Sequence, residues 1–93
     1  MNDRVALIEQ RLRAALEPER LAILDDSAAH AGHVGAREGG HFTVDVVSAT
    51  FAGKTLIQRH RLVHAAVADL MRREIHALSI RAWAPEEAPL SIP

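Results

Sequence analysis

Hydrophobic residues recur along this chain at two different periods, and the changes of period mark its elements. Val5, Ile8, Leu12, Ala15 and Leu16 repeat at helical spacing, which predicts a first helix over Asp3–Leu16 with Asn2 or Asp3 as its N-cap. Pro18 stops that helix, because the residue before a proline is pushed out of the α region; Leu7 falls off the stripe. Leu21 to Asp26 is a short apolar run ending in two acids and reads as a strand. From His41 to Ser48 the period drops to two. Phe42, Val44 and Val46 fall on one face and His41, Thr43 and Asp45 on the other, the pattern of a half-buried strand. After a turn at Phe51-Ala-Gly-Lys, Thr55 opens a second helix, with Gln58 three residues on for a capping box. Its stripe is Leu56, Val63, Ala66, Val67, Leu70 and Met71, reaching to about Arg73. A third strand runs from Ala77 to Trp83, with Leu78, Ile80 and Ala82 alternating against Ser79, Arg81 and Trp83.

The order helix, strand, strand, helix, strand implies an α+β fold in which helices cover one face of a three-stranded mixed sheet. The first two strands can pair antiparallel, and the second helix is long enough to return the third strand parallel to the second. Ser27–Gly40 carries four glycines, two histidines and no hydrophobic period, so it is expected to be a long loop of the kind that is usually functional. Pro85, Pro89 and Pro93 punctuate the end of the chain. Residues 1–87 are therefore expected to form one domain and residues 88–93 a loose C-terminal tail.

Composition narrows the function classes. Ninety-three residues suit a single domain, and 48% hydrophobic with 25% charged residues is an ordinary globular balance. The formal charge of −1 supplies no global field for nucleic acid, so such binding would need a local patch. No cysteine is present, which excludes a disulfide framework, a thiol nucleophile and thiolate ligands from this chain. No apolar run of about 18 residues and no signal-peptide order is seen, so the default expectation is a soluble cytoplasmic protein. Nor is there a nucleophile–base–orienter set; Asp25 and Asp26 would face opposite sides of a strand, and Glu86 and Glu87 sit among prolines. An enzyme is not expected.

Histidine is the compositional exception, with six in a chain that has one Trp, two Phe and no Tyr. If the second and third strands are parallel neighbours, their N-terminal ends share one edge of the sheet. His30 and His33 in the loop, His41 at the start of the second strand and His76 just before the third should then gather at one end of the molecule. Two or three imidazoles with open positions suit Zn, Cu, Fe or Ni. His60 and His64 lie elsewhere, four residues apart on the second helix. They are spaced like a zinc-protease pair, but Arg61 stands where that motif has Glu, and they are read as packing and helix-surface residues. A basic cluster, Lys54, Arg59, His60 and Arg61, occupies the turn and the start of the same helix, a reasonable phosphate site.

Taken in order, several blocks resemble the BolA family: Asp26-Ser27 followed by His30, Gly40-His41-Phe42 with its alternating strand, Phe51-Ala-Gly-Lys, Gln58-Arg-His-Arg-Leu-Val, and Ile75-His-Ala-Leu-Ser-Ile followed by Pro85-Glu-Glu. The resemblance spans about residues 5–87. It implies a fold like that of type II KH domains and two functions. In the first, the protein pairs with a monothiol glutaredoxin and its glutathione to share a [2Fe-2S] cluster, in iron–sulfur trafficking or iron sensing. The resemblance carries the histidine ligands onto His76 and His30, with His33 and His41 as alternates, and the isolated chain is expected to be a cluster-free monomer. In the second, it is a DNA-binding transcriptional regulator of stress and morphology genes, using Lys54, Arg59 and Arg61. The one Gly-x-x-Gly, Gly32-His-Val-Gly35, lies in the inter-strand loop rather than beside a helix, so only weak DNA binding is expected.

Overall fold

In the computed structural model of the protein, which describes residues 3–27 and 40–92, the chain runs α1 (Asp3–Leu16), β1 (Arg20–Asp25), β2 (Gly40–Val47), α2 (Leu56–Ala66) and β3 (Ile75–Trp83), with short 3₁₀ turns at Ala49–Phe51, Ala68–Leu70 and Pro85–Glu87. The sheet order is β1-β2-β3, with β1 antiparallel and β3 parallel to β2. The α+β architecture and the mixed sheet agree with the sequence pattern, and the strand ends differ from it by one or two residues.

One face of the sheet makes the core. Phe42, Val44 and Val46 of β2 are buried there, beside Leu21 and Ile23 of β1 and Leu78, Ile80 and Ala82 of β3. Ile8, Leu12 and Leu16 of α1 and Val63 of α2 pack onto it, with Phe51 fully buried in the same cluster. Leu7 is half-buried against this core and Ala15 is exposed, so the inward face of α1 is rotated toward Leu7. The chain leaves α1 through Glu17, whose left-handed φ of 44° closes the helix ahead of Pro18. Ser48 ties this end down. Its buried hydroxyl donates to the Leu16 carbonyl at 2.6 Å and accepts from the Thr50 N–H.

The capping box at α2 forms as its sequence predicts: the Gln58 N–H donates to Thr55 Oγ1, and the Thr55 N–H donates to Gln58 Oε1. The helix is shorter than its apolar stripe. It ends at Ala66, and the stripe continues through a tighter turn that still buries Val67 and Leu70, while Asp69 is drawn to Arg11 of α1 at 2.9 Å. Leu56, expected on the buried stripe, is 67% exposed at the first helical position.

Toward the end of the chain, contacts with the domain are made at single residues. Ala84 and Ile92 are buried, and Arg20 donates to the carbonyls of Pro89 at 3.0 Å and Ile92 at 3.3 Å. Between these anchors Leu90 is 94% exposed.

Candidate functional site

The second face of the sheet carries His41, Thr43 and Asp45 from β2 opposite Ala77, Ser79 and Arg81 from β3. At its N-terminal edge two histidines meet: the rings of His41 and His76 are 5.2 Å apart, centroid to centroid, tilted by 47°. A break in strand register makes this possible. Gly40 pairs with Ile75 but His41 pairs with Ala77, so His76 is an extra residue between two matched pairs. Strict alternation back from Leu78 would send His76 inward. The bulge instead leaves Ile75 buried and both His76 and Ala77 exposed, which puts the imidazole on the outer face beside His41. His76, expected just before the third strand, is the second residue of β3.

The surrounding backbone is clamped. The His41 N–H donates to Ser27 Oγ at 3.1 Å, the His41 carbonyl accepts from the Asp26 N–H at 2.7 Å, and Thr43 Oγ1 donates to Asp26 Oδ2 at 2.8 Å. The Gly40 N–H reaches the Glu74 carbonyl at 3.0 Å. A Cβ on Gly40 would stand 2.5 Å from the Phe42 ring and 2.7 Å from Ser27 Oγ, so only glycine allows β2 to enter this tightly. Ser27 and Gly40, which flank the long inter-strand segment, are thus adjacent at the histidine edge. His30 and His33, also expected there, lie outside the described residues.

The basic cluster divides. Arg59 is 7% exposed and committed to structure: its guanidinium donates to both Glu87 carboxylate oxygens (2.6 and 3.2 Å), to the Ala82 carbonyl at 3.1 Å and to the Lys54 carbonyl at 2.9 Å. Glu87 also accepts from the Ala84 N–H. These bonds hold Glu87 below the usual carboxylate range, the Arg59 hydrogen bond most of all, and raise Arg59 in turn. Arg59 is therefore corrected from a phosphate ligand to the anchor of the Pro85–Glu87 turn. Its place four residues before Val63 on the buried side of α2 is the sequence signal for that role. Lys54 and Arg61 remain at the surface around a shallow depression with Gln58 and Leu62, and Lys54 Nζ donates to the Thr50 carbonyl at 2.8 Å. His60 is half-buried and His64 exposed, and both belong to α2 on the helical layer, not to the outer face of the sheet.

Chemically, the edge presents two imidazoles, His41 half-buried and His76 exposed, and no thiolate. No group of three or more His, Asp or Glu side chains suited to a metal occurs among the described residues.

A family model described as BolA-like protein matches residues 12–87. The chain is 44% identical over 82 residues to BolA-like protein 1 of Homo sapiens, covering 88% of this chain and 58% of that relative. It is 35% identical to the DNA-binding transcriptional regulator BolA of Escherichia coli, covering 86% of this chain and 74% of that protein. Among solved structures, the BolA domain of SufE1 from Arabidopsis thaliana superposes with a TM-score of 0.83 at 40% identity, covering 95% of this chain and 99% of that one.

Proposed function

The chain belongs to the BolA-like family, and on that premise we propose that it is a binding subunit, not an enzyme, that lends histidine ligands to a [2Fe-2S] cluster shared with a monothiol glutaredoxin. The observation that carries this reading is the adjacency of His41 and His76 on an accessible sheet face. Two imidazoles can serve one iron, as in Rieske-type centres, but a chain without cysteine cannot complete the set. A partner thiolate and glutathione are the donors that the family resemblance supplies. The donor set thus fits a shared group and not a resident one. When bound, the cluster would supply a transferable, redox-active iron centre. The chain's own part is to hold His76 outward on its bulge and His41 on its clamped strand. His30 is the second ligand that the resemblance implies; His41 is the one nearest His76 among the described residues. Iron–sulfur trafficking or iron sensing, in the cytoplasm, follows as the cellular role.

The test is reconstitution of the cluster on a monothiol glutaredoxin with glutathione, addition of this protein, and visible circular dichroism. His76→Ala should abolish the spectral change that the wild-type protein causes, and His41→Ala and His30→Ala should identify the second ligand by which of them weakens it. An unchanged spectrum with His76→Ala would overturn the reading.

The name of the Escherichia coli relative motivates DNA binding as the alternative. With Arg59 engaged, Lys54 and Arg61 are left of the three cations expected to contact phosphate, which supports only weak, strongly salt-dependent binding.

A further inference from the structure

Among the described residues a second pair of histidines stands apart from the sheet-edge pair, on the helical layer that covers the opposite face. His60 and His64 both fall within α2, which runs from Leu56 to Ala66 behind its Thr55 capping box. Residues four apart on a helix differ by about 40° around its axis and bring their Cβ atoms to about 5–6 Å. The buried side of α2 is marked by Arg59 and Val63, continued by Val67. His60, half-buried, and His64, exposed, border that side on one flank, where both can meet solvent.

We propose that His60 and His64 chelate one divalent transition ion of the imidazole-preferring class (Zn, Cu or Ni), at a site separate from His41 and His76. The i, i+4 spacing on a regular helix is the arrangement by which two imidazoles reach a single metal. His64 lies in the last turn, where the carbonyl end of the helix dipole favours a cation. With Arg61 in place of the acid of zinc proteases, the pair has no general base beside it and binds without hydrolytic chemistry. Two protein ligands leave the remaining positions to water, so the site is an exchangeable one and not a structural centre of four ligands.

Zinc sulfate titrated into the ¹⁵N-labelled full chain, with the imidazole nitrogens followed by NMR, tests this directly. The His60 and His64 signals should move together, along one isotherm that saturates at one equivalent for the pair. The paired variant His64→Ala/Ala65→His keeps the number of histidines but turns the second ring about 140° from the first. Ala65 is exposed, so the exchange is compatible with the fold, which the amide spectrum verifies. Loss of a direct ligand should weaken the His60 response at least as much as loss of an outer-shell partner, about tenfold or more. Separate isotherms for the two histidines in the wild-type chain, or unchanged affinity in the paired variant, would overturn the proposal.

Discussion

The two faces of β2 are made from alternating residues of one eight-residue segment, yet they do different work. Inward, Phe42, Val44 and Val46 are buried against both helices. Outward, His41, Thr43 and Asp45 are only partly covered and face the polar side of β3. Period-two geometry thus lets stability and site chemistry share a strand without sharing side chains. β3 departs from this separation at one point, where the bulge at His76 moves a residue from the core register to the site face. The core fixes where the outer face sits, and the outer face is free to carry groups that the core could not hold.

The largest expected effect comes from breaking the inward side. Phe42→Ala should cost about 3–5 kcal/mol, the usual range for a fully buried phenylalanine. His76→Ala, an exposed position on the other face, should stay within about 0.5 kcal/mol. Denaturant titration of the two variants checks the contrast. A large loss for His76→Ala would mean that its side chain supports the bulge, and that the two faces are not independent.

That division also explains what could be read from the chain and what could not. Periodicity reports facing, so the alternation of β2, the parallel return of β3 and most of the inward side of α1 (Ile8, Leu12 and Leu16, but not Leu7 or Ala15) were legible. Local hydrogen-bond chemistry at Thr55 and Gln58 was legible for the same reason. A bulge has no period, and so the outward turn of His76 had to be seen. Arg59 illustrates a different limit. A run of cations suggests an anion site, whereas the partner of Arg59 is Glu87, 28 residues away in the Pro85–Glu87 turn. Long-range pairing of that kind leaves no local signal. Leu56 shows that periodicity gives direction but not burial: it shares the side of Val63 yet is exposed at the start of the helix, while Arg59 in the same turn is buried.

Two bidentate ion pairs repeat the comparison between faces, and they should differ in consequence. Arg59–Glu87 sits at the covered side, with the arginine side chain 8% exposed and the glutamate side chain 44%. Arg81–Asp45 lies across the open face, with the arginine 63% exposed. Glu87→Gln leaves the Arg59 charge buried without a counter-charge, so its destabilisation should rank next after Phe42→Ala. Its pH dependence has a definite sign. Glu87 titrates below its ordinary value of 4.5 in the folded chain, chiefly through Arg59, so its contribution is complete above 4.5 and is lost as pH falls through the lowered value. Asp69, held down by Arg11, acts in the same direction. Urea midpoints at neutral pH and near pH 3 should therefore show a gap between wild type and Glu87→Gln that narrows with acid. A gap that stays constant would mean that the carboxylate's charge is not what holds the turn.

Arg81→Ala is expected to affect stability less than either Phe42→Ala or Glu87→Gln. The guanidinium donates to both Asp45 oxygens at 2.6 and 2.9 Å and stands 5.8 Å from the centre of the Trp83 ring, but water reaches most of it. Solvent screening and the entropy of holding a long side chain offset most of the attraction in such a pair. The β2–β3 ladder, meanwhile, is maintained by backbone bonds beneath it. The denaturant midpoint of Arg81→Ala should thus be indistinguishable from wild type at physiological salt, and raising the salt should change neither relative to the other. A midpoint shift comparable to that of Glu87→Gln would show that the open face contributes to holding β3 in register, and then His76, on the same strand, could not be treated as independent of it.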